Sequence, residues 1–305
     1  MNVSKTQAQT RLHRTIPWWS PERPFIWLVP VIFLLFVYSI YPFVFNIVIS
    51  FQKFDAMAKA FKWNFPNNWV NLFTNDDFLK SFRITFTYGS IALVVELILG
   101  MLVALAFDAP RVKLRGLWQS LFILPMVVPP VISGLMFRFL QNAEYGIISN
   151  LLYATGIVSI AEPLIGGTGK NVLLAILIAD VWQWTPFVAL IILAGLKAIP
   201  PEPLEAAEVD GANKWQQFWN IKLPMLRSVL TIVVLFRIVD LLRLFDYVSI
   251  MTSGGPGGNS ETVSHFAYRM HKSIEWGTVA VVGIVVLILS TLVTNLYIKF
   301  FKVRF

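Results

Sequence analysis

Six long apolar runs constrain this chain of 305 residues more than any other feature of its sequence. Each run is long enough to cross ~30 Å of hydrocarbon, which takes ~20 residues. Because lipid offers no partners for backbone N–H and C=O groups, each run is predicted to be a helix. The predicted fold class is therefore all-α integral membrane, with six transmembrane helices. The spans lie near residues 25–49, 84–107, 117–139, 171–195, 229–251 and 278–301.

The composition favours a membrane protein and excludes several other classes. Charged residues make up 14% of the chain, whereas soluble domains average ~25%. The absence of cysteine excludes disulfides, thiolate metal sites and cysteine nucleophiles. The net charge of +8 does not form a basic strip with interleaved aromatic residues, so no nucleic-acid partner is expected.

The domain organisation and the topology follow from the polar segments. Residues 1–24 form a polar N-terminal arm, and residues 25–305 are predicted to be a single transmembrane domain. The first span is too long for a signal peptide and is interpreted as a retained anchor. With the N-terminus inside, inner segments hold 14 Lys and Arg residues and outer segments hold 8. This difference predicts that the N- and C-termini are both cytoplasmic.

A polar segment between the fourth and fifth spans, residues 200–224, is here named the coupling loop. Pro201 and Pro203 suit the first turn of a helix, where a missing N–H costs little. Gly211 suits the end of that helix, where positive φ is common. The sequence predicts a short helix that ends in a bend at Gly211.

A second short helix is predicted directly after that bend. Asn213 and Gln216 have the spacing of a capping box, and Pro224 is expected to close the segment. A solvated connector would not need the Ala206-Ala207 pair, the bend at Gly211 and the second capped helix together. The coupling loop is therefore interpreted as a docking surface for a partner protein.

Residue spacing in the coupling loop resembles a known family signature. Three residues separate Glu205-Ala206-Ala207 from Gly211, and Ile221, Leu223 and Pro224 follow at fixed spacing. This pattern is similar to the EAA motif of permease subunits in binding-protein-dependent ABC importers. Flanking stretches resemble sugar-type, maltose-transporter-like permeases: Trp182-Gln-Trp-Thr-Pro-Phe187, Ala194-Gly-Leu-Lys-Ala-Ile-Pro200, Arg237-Ile-Val-Asp240, Phe245-Asp246 and Thr252-Ser-Gly-Gly-Pro256.

The resemblance implies a type I ABC importer permease fold, with EAA coupling helices in the cytoplasmic loop between the fourth and fifth spans. It implies a multi-pass protein of a bacterial or archaeal cytoplasmic (inner) membrane. The implied partners are a second homologous permease, two ATPase subunits or an ATPase dimer, an extracytoplasmic solute-binding protein and membrane lipid. The implied substrate is a carbohydrate: an oligosaccharide, a glycoside or a polyol.

The resemblance also assigns residues to the partner proteins. The glycine loop, residues 254–258, is expected to contact the binding protein through Gly254, Gly255, Pro256 and Gly257. The residues implied to dock the ATPase are Glu205, Ala206, Ala207, Asp210, Gly211, Ile221, Leu223 and Pro224.

No nucleotide site is expected in this chain. The nearest stretch to a P-loop ends in Gly169-Lys170-Asn171, with Leu164 where the first glycine is needed. The chain is therefore predicted not to be an enzyme and to hold no cofactor, with ATP and Mg²⁺ in the partner ATPase. His265 and His271 have a poor spacing for one metal site, so no metal is expected.

Several polar and aromatic residues inside the spans are candidates for the substrate path. Arg237, Asp240, Arg243 and Asp246 lie at successive i, i+3 positions of the fifth span, and Glu96 lies alone in the second. The charges could form a self-neutralising ladder along the helix, or one or two could line the path. Trp182 and Trp184 could stack on a sugar or simply pack.

Two other functions are compatible with the apolar spans. An ion-coupled secondary transporter could use the intramembrane charges, and a membrane-embedded enzyme is the third alternative. Neither needs a docking segment for an ATPase, so the EAA spacing favours the importer permease.

Overall fold

The computed structural model describes residues 24–109 and 113–301. Most of the predicted N-terminal arm and the loop and tail cations Arg111, Lys302 and Arg304 lie outside the described residues. The chain divides into two compact units, Met1–Val48 and Ile49–Phe305. They are described in turn.

The first unit holds an apolar helix with one wide turn. It consists of α1 (Pro24–Leu35), a π-helical turn over Phe36–Ile40 and most of α2 (Tyr41–Ser50). Pro42 lies just after the wide turn and cannot donate a backbone hydrogen bond, which explains the local change of pitch. Residues Leu28–Ser50 are long and apolar enough to cross a membrane, in agreement with the predicted span 25–49.

The second unit begins with a two-stranded antiparallel hairpin, the exception to an otherwise helical fold among the described residues. Its strands are β1 (Gln52–Asp55) and β2 (Ala60–Trp63). Phe54 and Phe61 pack on Trp276, with ring centroids 4.8 and 5.7 Å apart. The prediction of an all-α chain is wrong at this hairpin, because alternating aromatic residues favour paired strands there.

The remaining helices of the second unit follow in chain order. They are α3 (Asn67–Phe73), α4 (Asp76–Asp108), α5 (Arg115–Val127), α6 (Pro130–Leu140), α7 (Ile147–Ala154), α8 (Val172–Lys197), α9 (Glu202–Val209), α10 (Lys214–Gln217), α11 (Leu223–Met225), α12 (Arg227–Leu241), α13 (Val263–Lys272) and α14 (Trp276–Phe301).

Helix α4 begins eight residues before the predicted span at 84 and continues for 33 residues. The side chain of Asn75 caps it by accepting from the N–H of Phe78 at 3.0 Å. Asp76 and Asp77 occupy the first turn, where negative charge is favourable. These polar residues extend the helix beyond the apolar run that predicted it.

Helices α4 and α8 pack closely at the centre of the second unit. Gly100 of α4 lies against α8, where an added Cβ would come within 2.5 Å of Val188 Cγ1. Ala92, Ala104 and Ala179 are fully buried along the same two helices. Small side chains therefore let these two backbones approach each other.

The third predicted span is bent sharply. Helices α5 and α6 meet at 94° around Pro129, where two consecutive prolines, Pro129 and Pro130, favour a kink. Gln183 of α8 donates from Nε2 to the carbonyl oxygen of Val128 at 2.5 Å. This bond gives a partner to a carbonyl at the break.

The fifth predicted span, 229–251, is not one continuous helix. Helix α12 ends at Leu241. After a break, helical structure resumes shortly before the π-helical turn Val248–Thr252. Thr262 donates from Oγ1 to the carbonyl oxygen of Leu244 at 2.7 Å. A side chain distant in sequence thus gives a hydrogen-bond partner to a backbone carbonyl left unpaired by the break. The apolar pattern of the span alone could not predict this contact.

Four helices in the described residues are long and apolar enough to cross a membrane, or five if the bent α5–α6 pair is one span. They are Leu28–Ser50, Asp76–Asp108, Val172–Lys197 and Trp276–Phe301. Helix α12 falls outside this set because it has 15 residues. The number of six spans remains a prediction.

Candidate functional site

The coupling loop contains both predicted short helices and the bend between them. Helix α9 ends at Val209, and Gly211 has φ of +77°. Asn213 Oδ1 accepts from the N–H of Gln216 at 2.9 Å, and Gln216 Oε1 accepts from the N–H of Asn213 at 2.8 Å. The capping box predicted from spacing is therefore present.

The end of the coupling loop differs from the prediction. Pro224 does not close the segment but lies in α11, and helical turns continue into α12. A π-helical turn over Phe218–Lys222 separates α10 from α11. Proline is accommodated because it stands at the start of α11, where its missing N–H costs little.

The surface of the coupling loop is acidic and free of internal ion pairs. Glu205, Ala206, Asp210, Gly211 and Pro224 are exposed. No carboxylate of α9 forms an ion pair with another described residue. Ala207, Ile221 and Leu223 are half-buried.

Three large apolar side chains add to this surface. Val209, Trp215 and Trp219 are 88%, 69% and 49% exposed. Exposed apolar residues grouped with polar ones are typical of protein-binding surfaces. Sequence reasoning missed all three, although they lie within the coupling loop.

One ion pair connects the coupling loop to α4. Lys222 Nζ lies 3.4 Å from Oδ2 of Asp108, the last residue of α4, and both side chains are partly buried. The loop is thus attached to the central helix pair as well as to its neighbours in sequence.

Arg237 meets three carboxylates, and these four charged side chains come from three helices. Its Nε and Nη2 donate to Oε2 and Oε1 of Glu96, each at 2.6 Å. Nη1 donates to Asp240 at 2.5 Å, and Nη2 lies 3.4 Å from Asp180 of α8. Glu96, Asp180 and Arg237 are buried, whereas the side chain of Asp240 is 51% exposed.

Two aromatic residues complete this charge cluster. Tyr88 donates from its hydroxyl to Asp180 at 2.8 Å. The Arg237 guanidinium carbon lies 5.0 Å from the ring centroid of Trp184, a cation–π distance. Every charged group of the cluster therefore has a partner, and only Asp240 extends to the surface of the described chain.

The predicted charge ladder is present only in its first step. Arg237 pairs with Asp240, but Arg243 and Asp246 have no ion-pair partner in the described part of the chain. Trp182 does not join the cluster; its ring meets the edge of Phe137, with centroids 5.3 Å apart. The structure instead joins Arg237 to Glu96, a partner that the sequence did not identify.

A second charge cluster supports the glycine loop from α13. Arg269 donates from Nε to Glu261 Oε1 at 2.8 Å and from Nη2 to Asp77 of α4 at 3.0 Å. His265 Nδ1 lies 3.2 Å from the same Glu261 carboxylate. No group of side chains able to hold a metal occurs in residues 24–109 and 113–301.

Glu261 keeps its charge although its side chain is buried. Burial alone raises the pKa of this carboxyl, but hydrogen bonds from His265 and Arg269 outweigh burial, so its pKa lies below its usual value. The same carboxylate raises the pKa of Arg269 through its hydrogen bonds. The cluster is therefore a stable ion pair at neutral pH.

Three polar residues escaped the sequence-based predictions. Asp180 is an ionisable residue inside an apolar run, which is itself a signal of a functional or paired site. Tyr88 and Lys80 gave no comparable signal. Tyr88 bonds to Asp180, 92 residues away in sequence, and Lys80 bonds to Gly257, 177 residues away.

Comparison with known proteins places the chain in a family. Residues 96–304 match the family model of the binding-protein-dependent transport system inner membrane component. The chain belongs to this family. This match confirms the prediction of a permease subunit in a binding-protein-dependent importer. The family description also places the chain in the inner membrane.

Relatives of this inner membrane component cover almost its whole length. The trehalose/maltose transport system permease protein of Thermococcus litoralis is 31% identical over 280 residues, or 92% of this chain and 94% of the relative. The multiple sugar-binding transport system permease protein of Streptococcus mutans is 28% identical over 276 residues, or 90% and 93%.

A solved structure shares its fold. A bacterial ABC transporter involved in the import of the acidic polysaccharide alginate has a chain that matches with a TM-score of 0.75 and 19% identity. The match covers 91% of this chain and 94% of that one. The inner membrane component therefore has the mostly helical fold of ABC importer permeases.

Proposed function

We propose that this chain is one of two permease subunits of an ABC importer for a carbohydrate, such as an oligosaccharide, a glycoside or a polyol. The observation that carries the proposal is the exposed coupling loop, in which two short helices meet at Gly211 beside an unpaired acidic surface. Such a surface fits a basic cleft on an ATPase. The second permease, homologous to this one, supplies the other half of the path.

The ATPase is a separate partner that binds ATP and Mg²⁺. The missing P-loop in this chain supports this division of labour. Glu205 and Asp210 face the basic groups of the ATPase, and Ala206 and Ala207 permit close approach of its backbone. Closure of the ATPase reaches the spans through α9 and α10.

The coupling loop is cytoplasmic, as are both termini, and the chain crosses the membrane six times. The excess of Lys and Arg in the inner segments supports this orientation. The short α12, together with the helical turns after its break, is the fifth crossing. The break is partly buried, and Thr262 bonds the carbonyl oxygen of Leu244 there, so irregular backbone at that depth is acceptable.

A carbohydrate substrate is supported by the names of several relatives. Besides the two sugar-related relatives above, the sulfoquinovosyl glycerol transport system permease protein of Agrobacterium fabrum is 29% identical over 281 residues. Hydroxyl-rich solutes need several convergent hydrogen-bonding groups. The partly exposed carboxylate of Asp240 offers hydrogen-bond acceptors, and the half-buried ring of Trp184 offers an aromatic surface for stacking.

The cavity beside the coupling loop is assigned to that loop rather than to the solute. It has a volume of about 1140 Å³ and is lined by coupling-loop residues such as Trp215 and Lys222, together with residues of α4, α12 and α14 such as Leu97 and Tyr297. Because much of its lining belongs to the segment proposed to dock the ATPase, the substrate path is assigned to the region of Asp240 instead.

A solute-binding protein delivers the carbohydrate to the glycine loop. The family description itself specifies dependence on a binding protein. A solved alginate transporter of the same fold is in complex with an alginate-bound periplasmic protein. In this chain Gly257 is exposed with φ of +58°, and an added Cβ would contact nothing within 4 Å, so the tip is accessible.

The test is purification of the tagged full chain with its natural partners. An ATPase should co-purify with the parent and be lost from Glu205→Lys, which reverses the charge at the docking surface. Glu144→Lys is the matched control, because Glu144 is exposed but lies outside the coupling loop. Retention of the ATPase by Glu205→Lys would contradict the docking assignment.

Reconstitution then identifies the cargo and separates the alternatives. ATP hydrolysis by the complex is measured with soluble binding proteins from the same cells and a panel of sugars. Stimulation by one pair identifies the partner and the substrate. Solute uptake that continues without the ATPase would instead indicate an ion-coupled secondary transporter.

A further inference from the structure

The glycine loop is a defined turn. The N–H of Gly255 donates to the carbonyl oxygen of Thr252 at 3.0 Å, and that of Asn259 donates to Pro256 at 3.1 Å. Gly254, Gly257 and Gly258 all have positive φ. Because glycine adopts many conformations, contacts from outside the loop help to select this one.

A lysine of α4 supplies such a contact at the tip. Lys80 Nζ donates to the carbonyl oxygen of Gly257 at 2.7 Å and to Oδ1 of Asn259 at 2.9 Å. Lys80 stands in the second turn of α4, which is fixed by packing along its length. One ammonium therefore holds two points of the turn from a rigid helix.

The segment before α8 holds the same turn from another direction. Asn259 donates from Nδ2 to the carbonyl oxygen of Thr168 at 3.1 Å. Gly169 packs against Pro256, where an added Cβ would come within 2.7 Å of Pro256 Cγ. Asn259 thus connects Lys80 on one side to the 166–169 turn on the other.

The base of the loop is attached to α4 as well. Asp77, one helical turn before Lys80, accepts from Arg269, which also holds Glu261 just before α13. Tip and base are therefore both bonded to the first turns of α4. The glycine loop, the 166–169 turn and the start of α4 form one polar surface, named here the outer platform.

We propose that Lys80 is a positioning residue that holds the glycine loop in the conformation that the solute-binding protein engages. This inference rests on the proposed function. Lys80 need not touch the partner; its role is to restrict the loop before binding. A loop ordered in advance loses less conformational freedom on association, so the partner binds at lower concentration.

The test compares Lys80→Met with Lys80→Arg in the assembled transporter. Methionine keeps most of the length but donates no hydrogen bond, whereas arginine keeps several N–H donors. Lys53→Met is the matched control. Lys53 is an exposed lysine of β1, and its side chain has no hydrogen-bond partner in the described part of the chain. It reports any general effect of removing one positive charge.

Two readouts are taken. The first is hydrogen exchange of backbone amides at 254–260 in the full complex without binding protein. The second uses the binding protein that stimulates the parent complex. It is the concentration of that protein that gives half-maximal stimulation of ATP hydrolysis. Lys80→Met should speed exchange at 254–260 and raise that concentration about tenfold, with the maximal rate retained. Lys80→Arg and Lys53→Met should stay near the parent.

Each contrary result overturns a specific claim. Unchanged exchange in Lys80→Met would show that the ammonium does not hold the loop. Faster exchange with an unchanged half-maximal concentration would show that the partner does not engage the held conformation. A parent complex that no binding protein stimulates would contradict the proposed function, and the exchange comparison would still decide the role of Lys80 in the loop.

Discussion

Glu96 and Arg237 form a two-point ion pair between α4 and α12, with both donor–acceptor distances at 2.6 Å. The two residues are 141 positions apart in sequence and almost completely buried. With Asp180 of α8, they join three helices at a single guanidinium. Because buried charges are costly unless they are paired, this cluster requires all three helices to keep their present arrangement.

Replacing Arg237 should therefore be strongly destabilising. Arg237→Gln leaves Glu96 and Asp180 buried without a cation, and losing one partner of a buried pair typically costs about 3–5 kcal/mol. Arg243→Gln is the control, because Arg243 is exposed and should change stability by less than about 0.5 kcal/mol. Denaturant unfolding of both purified variants measures the difference. Equal midpoints would show that the cluster does not stabilise the fold.

Asp240 should matter for transport more than for stability. Its side chain is 51% exposed. When the Asp240 carboxylate is removed, Arg237 keeps its ion pairs with Glu96 and Asp180. Asp240→Asn should cost no more than about 1 kcal/mol while lowering solute uptake by the reconstituted transporter. Uptake equal to that of the parent would remove Asp240 from the substrate path.

Substitutions at Gly211 should act through backbone conformation alone. Its φ is +77°, and an added Cβ would meet nothing within 4 Å. Asn tolerates positive φ far better than a β-branched residue does. Gly211→Val should therefore weaken co-purification of the ATPase, and Gly211→Asn should keep most of it. Similar losses in both variants would indicate that the side chain obstructs the partner instead.

Glu261 gives a prediction for the pH dependence of stability. Since its pKa in the folded chain lies below the ordinary value of 4.5, its ion pair contributes stability above that pH and loses it as the pH falls further. At pH 7, Glu261→Gln should lower the free energy of unfolding by about 1–2 kcal/mol.

Thermal unfolding of parent and variant across pH checks this prediction. The difference between the two should stay constant from pH 8 to pH 5 and shrink only below about pH 4. A difference that disappears already near pH 6 would show that ionisation of Glu261 is not its cause.

Local spacing predicted the features that depend on neighbouring residues. Asn213 and Gln216 indicated a capping box, and Arg237 and Asp240 stood close enough on one helix to pair. The break after Leu241 was not predictable, because Thr262 stabilises it from outside the run. Glu96 and Asp180 belong to distant helices, so their shared partner appears only when the helices pack. The sequence contained the charges of the cluster but not their arrangement.

The length of α4 has a mechanical consequence. At 1.5 Å per residue, a helix of 33 residues extends for roughly 50 Å. Lys80 is bonded to the glycine loop near one end, and Asp108 is paired with Lys222 of the coupling loop at the other. A tilt of about 5° about one end moves the opposite end by roughly 4 Å over that length. The two surfaces assigned to different partner proteins are thus attached to the ends of one stiff rod, and neither can shift far without displacing the other.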